Sequence, residues 1–152
     1  MVPIGNPTTP EIVYGFGPSF HYKGFDFSFF FQGAARVSIM MNGIHPFGAD
    51  GTRNVLQFIA DDYWSDTNQD IYAGYPRLSK RDNENNTKAS TYWQRNGAFL
   101  KLKNLEVGFN HKFFRVYLRG SNLLTFSPFK YWDPEMGSGS GLSYPTQRVF
   151  NV

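Results

Sequence analysis

From Phe25 to Phe31 every second residue is phenylalanine. Phe25, Phe27, Phe29 and Phe31 share one side of an extended chain, and Asp26, Ser28, Phe30 and Gln32 share the other. A helix would scatter these rings around its circumference, so the period of two predicts a strand with one strongly apolar face. The preceding segment, Glu11 to Tyr22, has the same pattern, with Tyr14, Phe16, Phe20 and Tyr22 on one parity. Lys23-Gly24 lies between the two and supplies a tight turn, because glycine adopts positive φ without steric penalty. Two long strands joined in this way form a hairpin.

The pattern then stops. Gly43 to Ala89 reads as a long surface loop, in which Val55, Leu56, Phe58, Ile59 and Tyr63 fit a short amphipathic helix and Asp66 to Asn86 is polar and interrupted by Gly74 and Pro76. Loops of that length are uncommon in a compact domain unless they carry function or are disordered. Alternation returns near Phe99, with Leu100 and Leu102 on one parity and Leu105, Val107 and Phe109 on the other. If both groups face the same medium, a bulge is required around Lys103-Asn104. His111-Lys112 makes a second short turn, and Phe114, Val116 and Leu118 continue the apolar side of the next strand. A second long loop, Ser127 to Thr146, contains three prolines and the run Gly137-Ser138-Gly139-Ser140-Gly141. Gln147 to Val152 begins a last strand that stops after six residues. The expectation is an all-β antiparallel meander of roughly five strands, the last truncated.

Short turns on one side and two long loops on the other are the plan of a transmembrane β-barrel, with short periplasmic turns and long external loops. No apolar run is long enough for a membrane-spanning helix, but a transmembrane strand needs only about 9 to 11 residues, with alternate ones apolar. On this reading Asp26, Gln32, Arg115 and Arg119 face a watery lumen, while Phe25, Phe27 and Phe29 face lipid. Tyr22, Phe25, Phe109, Phe113 and Phe126 near strand ends fit an interfacial aromatic girdle. A soluble β-sandwich would bury the same faces in its core, so alternation leaves a soluble all-β carbohydrate-binding module as the alternative.

Aromatic residues make up 18% of the 152 residues and charged residues another 18%, which argues against a disordered chain and a highly charged nucleic-acid binder. The net charge of +3 is spread along the chain. Cysteine is absent, which excludes disulfide scaffolds, thiolate zinc sites and a cysteine nucleophile. Met1 to Pro7 has no export signal, so the expectation is either a protein not exported by its own signal or an internal piece of a larger one.

Asp66, Asn68 and Asp70 have the opening spacing of a calcium loop, but Ile71 stands where glycine is needed and Arg77 where a bidentate glutamate is needed. A solvated polar loop is the better account. His21, His45 and His111 have no metal-ligand spacing, the glycine-rich run lacks the lysine of a phosphate-binding loop, and no catalytic set can be assembled. Neither enzyme activity nor any cofactor or metal is expected. Trp64, Tyr72, Trp93, Tyr131 and Trp132, in or beside the long loops, are candidate substrate-stacking residues, with loop packing as their other reading.

Several segments, in order, resemble one family. Tyr22-Lys23-Gly24-Phe25-Asp26-Phe27-Ser28 with Phe30-Phe31-Gln32-Gly33, then Tyr75-Pro76-Arg77-Leu78, then Phe99 through Phe109, then Val116 through Phe126, and finally Asp133-Pro134-Glu135 and Tyr144-Pro145 with Arg148, are similar to the C-terminal part of SusC/RagA family TonB-linked outer-membrane proteins. The resemblance covers about residues 12 to 152. It implies a piece of a barrel of roughly the 22-stranded transporter size, without its plug domain and N-terminal strands. It also implies residence in the outer membrane, a SusD-like surface lipoprotein partner, contact with the TonB system through the remainder of the receptor, and import of oligosaccharides or peptides. No nucleic-acid partner is expected.

Overall fold

The computed structural model describes residues 4–41, 54–81, 83–139 and 143–152. His45, the stretch 43–53 of the first long loop and residues 140–142 of the glycine-rich region lie outside the described residues. In chain order the strands are β1 (Ile12–Phe16), β2 (Ser19–Tyr22), β3 (Phe25–Ala35), β4 (Ser38–Met40), β5 (Gln94–Asn96), β6 (Phe99–His111), β7 (Phe114–Phe126) and β8 (Val149–Asn151). Two short helices, α1 (Gln57–Asp61) and α2 (Glu84–Thr87), lie between β4 and β5.

One antiparallel sheet runs β1-β3-β6-β7-β8, with β2 also paired to β3. β1 and β2 are the single strand expected upstream of the first turn. Phe16 pairs with Phe31 and Ser19 with Ser28, so the register is unbroken across Gly17-Pro18. The interruption is local, because Pro18 has no amide hydrogen to contribute to the ladder. Lys23 and Gly24 both take positive φ, 48° and 87°, as a two-residue hairpin turn of the twist-matching kind requires. A Cβ on Gly24 would lie 2.6 Å from the Asn110 carbonyl oxygen of the neighbouring strand. The turn therefore demands glycine on two grounds.

The expected bulge is present. On β3 and β6, Phe30 pairs with Asn104 and Phe31 with Leu102, which leaves Lys103 as the extra residue. Between β6 and β7 the register also shifts between Leu102 and Asn104, beside Asn122 at φ 55°. The shift moves Leu100 and Leu102 onto the face already carrying Leu105, Val107 and Phe109. One apolar face then spans the sheet: Phe20, Phe27, Val107 and Leu118 are successive partners across β2, β3, β6 and β7. Ring contacts knit it together, with Phe16 and Phe31 stacked at 5.4 Å and Phe25 and Phe109 at 4.7 Å between centroids.

Among the described residues no second layer covers this face. Phe25 is 58% exposed and Leu118 53%, whereas the buried apolar cluster lies elsewhere. That cluster is at the long-loop end. β4 and β5 form a small separate sheet there, and Ile39, Met41, Ile59, Tyr75, Trp93 and Phe129 form one core against which Phe58, Tyr131 and Trp132 pack. The long loops are thus folded on each other, over an apolar centre of their own.

Candidate functional site

The polar side of the sheet carries two charge clusters, one near each end. Near the short turns, the Asp26 carboxylate contacts the His21 ring and accepts a hydrogen bond from the Asn110 amide, with the Arg115 guanidinium 3.7 Å away. Arg115 also reaches Glu106 at 3.3 Å. These contacts follow from register: His21 stands opposite Asp26, and Asn110 opposite Arg115. Asp26 and Arg115, expected on one face, are therefore brought together. Arg119 stands across from Glu106 in the ladder and is exposed, while Gln32 is paired with Lys101 nearer the other end. Exposed pairs of this kind are screened by solvent, so the cluster defines a polar surface more than it stabilises the sheet.

The second cluster was not among the candidates read from the sequence. Lys101, on β6, is 1% exposed. Its ammonium donates to Asp133 at 2.6 Å, to Glu135 at 2.7 Å and to Thr146 at 3.1 Å, and Lys103 also contacts Glu135. Asp133 in addition caps the 3-10 turn Pro134–Met136 by accepting from the Glu135 backbone amide at 3.1 Å. Burial opposes ionisation of both carboxylates, but hydrogen bonds from Lys101 with Thr146 (to Asp133) and with Lys103 (to Glu135) outweigh it and hold both below the usual carboxylate range. Removing one member of such a buried set typically costs about 3–5 kcal/mol, since the partner charge is left uncompensated.

The fold brings Trp93, Tyr131 and Trp132 together at the loop core, and Trp64 and Tyr72 are not part of that cluster. Trp93 is 1% exposed, packed edge-on to Tyr75 at 5.6 Å and Tyr92 at 5.2 Å, with its indole N–H donating to the Asn86 carbonyl. It offers no free ring face, so of its two readings loop packing holds and stacking does not: Trp93 ends the 3-10 turn Thr91–Trp93, just before β5, and is enclosed by the loop core. Tyr131 and Trp132 are half-buried against Phe129, at 5.5 and 4.6 Å. The Trp132 indole N–H donates to the Gly137 carbonyl, and the Tyr131 hydroxyl contacts Asp62 at 3.3 Å. Trp64 is half-buried, and Tyr72, 86% exposed, presents its ring to solvent. Burial pushes the Tyr92 hydroxyl up to about 12 and raises Tyr131 as well, so these phenols are neutral hydrogen-bonding groups.

Tyr75 is wholly buried, and its hydroxyl finds no hydrogen-bond partner among the described residues. An unsatisfied buried hydroxyl costs about 1–3 kcal/mol. Tyr75→Phe is therefore expected to leave the loop core unchanged or stabilise it by about 1 kcal/mol, read as slower amide exchange of Trp93 and its neighbours. Faster exchange in the variant would show that the hydroxyl is bonded in solution.

Asp66, Asn68 and Asp70 are occupied by local turn contacts. Asp66 is 3.7 Å from Arg77, the Asn68 amide donates to the Tyr63 carbonyl, and Asp70 accepts from the Tyr72 amide. Among the described residues no group of three or more metal-ligating side chains converges.

The sequence is similar to two proteins of Formosa agariphila. TonB-dependent receptor P3 is 28% identical over 172 residues, covering 98% of this chain and 16% of the receptor. TonB-dependent receptor P26 is 31% identical over 154 residues, covering 92% and 15%. The fold matches solved structures of the RagAB peptide transporter, with TM-score 0.69 at 24% identity, and of the RagAB peptide importer in its open-open state, with TM-score 0.66 at 23% identity. These cover 97% and 95% of this chain and 17% of each neighbour. No family model matches. The chain therefore spans about a sixth of the relatives it resembles. With its ordered motifs, its bulged antiparallel sheet and these likenesses in agreement, the chain is a SusC/RagA-like TonB-dependent receptor fragment with the all-β fold of that barrel's wall.

Proposed function

We propose that this chain is the C-terminal portion of an outer-membrane importer of the SusC/RagA type, supplying barrel wall and external loops to a passage completed by the remainder of the receptor. The observation that carries the reading is the two-faced sheet. One side is a continuous field of phenylalanine, valine and leucine exposed to its surroundings, and the other carries Asp26, Glu106, Arg115 and Arg119. Hydrocarbon suits the first and solvates none of the second, so the charged side faces a water-filled lumen. The sheet is also open at β1/β2 and at β8, edges that lipid cannot satisfy and neighbouring strands of a closed barrel can.

In this role the chain performs no bond chemistry. It contains the passage, lines it with Asp26, Gln32, Arg115 and Arg119, and holds the loops at its mouth. Tyr72, with an exposed ring, and Trp64, half-buried, are loop aromatic residues on the side where an oligosaccharide or peptide would arrive. A SusD-like lipoprotein would dock on the same loops, and drive for import would reach the receptor through TonB contacts outside this chain.

A carbene reagent dissolved in the bilayer tests the assignment of faces. In the membrane-embedded receptor it is expected to label Phe27, Val107 and Leu118 and to spare Ser28, Glu106 and Arg119. Equal labelling of the two faces, or recovery of the receptor as a detergent-free, cooperatively melting monomer, would overturn the reading.

A further inference from the structure

Two long loops that fold over a core of their own can be either a mobile lid or a fixed rim, and the contacts between loops and wall distinguish these. The apolar core holds the loops to each other. Their inner end is held to the wall by charge: Lys101, near the start of β6 between β3 and β7, receives Asp133, Glu135 and Thr146 from the second loop, with Lys103 bracing Glu135 from the bulge. Lys101 and Lys103 stand two residues apart on β6 and so share a side, which lets both reach the Glu135 carboxylate. Thr146 also donates to Asp133, so the two legs of the loop, 45 and 32 residues from Lys101 in sequence, meet at one ammonium. The clasped turn borders an open cavity of about 220 Å³ at the wall, with Gln32 and Phe99 on one side and Pro134 and Glu135 on the other.

We propose that Lys101 is a positioning residue that clasps the second external loop against the inner wall, making the loop a fixed part of the passage lining. The proposal rests on the reading of the sheet as barrel wall. It implies that opening and closing at the mouth is carried by something other than this loop. The charged groups facing the clasp are Lys101, Lys103, Asp133 and Glu135, balanced in sign, so the clasp needs no outside ion.

The test is proteolysis of the full-length receptor that carries this chain, followed at the exposed Ser138-Gly139 stretch. Lys101→Met is expected to be cut there on the order of tenfold faster than wild type or more, by local release of the loop. Lys101→Arg is expected to restore most of the resistance. The triple variant Lys101→Met, Asp133→Asn, Glu135→Gln leaves no carboxylate unpaired in the clasp and is expected to remain sensitive, because relieving unpaired charge does not rebuild the grip. Heat-modifiable electrophoretic mobility reports that each barrel is assembled, and if Lys101→Met does not assemble, Glu135→Gln replaces it with the same expected direction. Wild-type resistance in the triple variant, or in an assembled Lys101→Met receptor, overturns the clasp. Acid provides a second readout. Both carboxylates are depressed, so their contribution is full above the ordinary carboxylate range and is lost as pH falls through their lowered values. An acid-active protease should therefore begin to cut the wild type below that range, and unchanged resistance there also overturns the clasp. Comparison in lysates tests the clasp alone. Cleavage of the variant in lysates but not on intact cells supports the clasp and counts against the outer-membrane reading.

Discussion

A receptor carrying Leu118→Arg is expected to be nearly absent from the folded outer-membrane fraction, while Arg119→Leu, one residue along the same strand, accumulates close to the wild-type level. Leu118 is paired with Val107, which is paired with Phe27, so the three side chains form one rung of the apolar face across β7, β6 and β3. An arginine on the lipid face near the bilayer midplane costs about 2–4 kcal/mol. A whole domain is stable by only about 5–15 kcal/mol, so a cost of that size at the insertion step removes most of the product. Arg119 points to the other side and is exposed there. Losing it removes one solvated charge and no packing, an effect within about 0.5 kcal/mol. Heat-modifiable mobility of membrane fractions measures both. Equal accumulation of the two variants would mean that hydrocarbon does not touch the Leu118 side.

The second large effect belongs to the loops. Trp93→Ala is expected to destabilise the loop core by about 3–5 kcal/mol, the usual range for an aromatic-to-alanine change in a packed interior. Trp93 fills the space between Tyr75 and Tyr92, its indole N–H satisfies the Asn86 carbonyl, and its own carbonyl accepts from the Met41 amide at 2.9 Å. The truncation therefore removes packing and leaves an acceptor unpaired. Its consequence should be local. The core of Ile39, Met41, Ile59, Tyr75, Trp93 and Phe129 is separate from the apolar face of the wall, so amide exchange is expected to rise across α1, Tyr75 and β5 while β6 and β7 stay protected. This pattern also differs from release of the Lys101 clasp, which frees the second loop and leaves the Tyr75–Trp93 packing in place. Exchange rising uniformly over loops and wall would show that the two regions are one cooperative unit.

The strands were readable because their rule is short-ranged. Alternation over Phe25 to Phe31 needs no knowledge of partners, Lys23-Gly24 identifies its turn by glycine's freedom at positive φ, and the change of parity between Leu102 and Leu105 locates the bulge before any pairing is known. Pro18 divides the first strand without shifting register, a detail that alternation does not register. The loops were not readable in the same way. Trp93 looks like a surface ring beside a loop because nothing near it in sequence announces Ile39, Met41 and Phe129, which bury it. Lys101 looks like an ordinary polar-face residue of a strand. Asp133-Pro134-Glu135 carries a local signal, since acidic residues flanking a proline suit a capped turn, but nothing near it in sequence names the cation that it meets.

What the sequence determined by itself was the two-faced antiparallel meander, its short turns and long loops, and the single extra residue that keeps its apolar face whole. Each depends on properties of neighbouring residues: side-chain alternation, proline's missing donor and glycine's accessible φ. Tertiary structure alone decided that the loops share a core, that Trp93 lies inside it, and that Lys101 ties the second loop to the wall. Those contacts join residues tens of positions apart, and burial and Coulomb attraction depend on distance in space, which the order of residues along the chain does not specify.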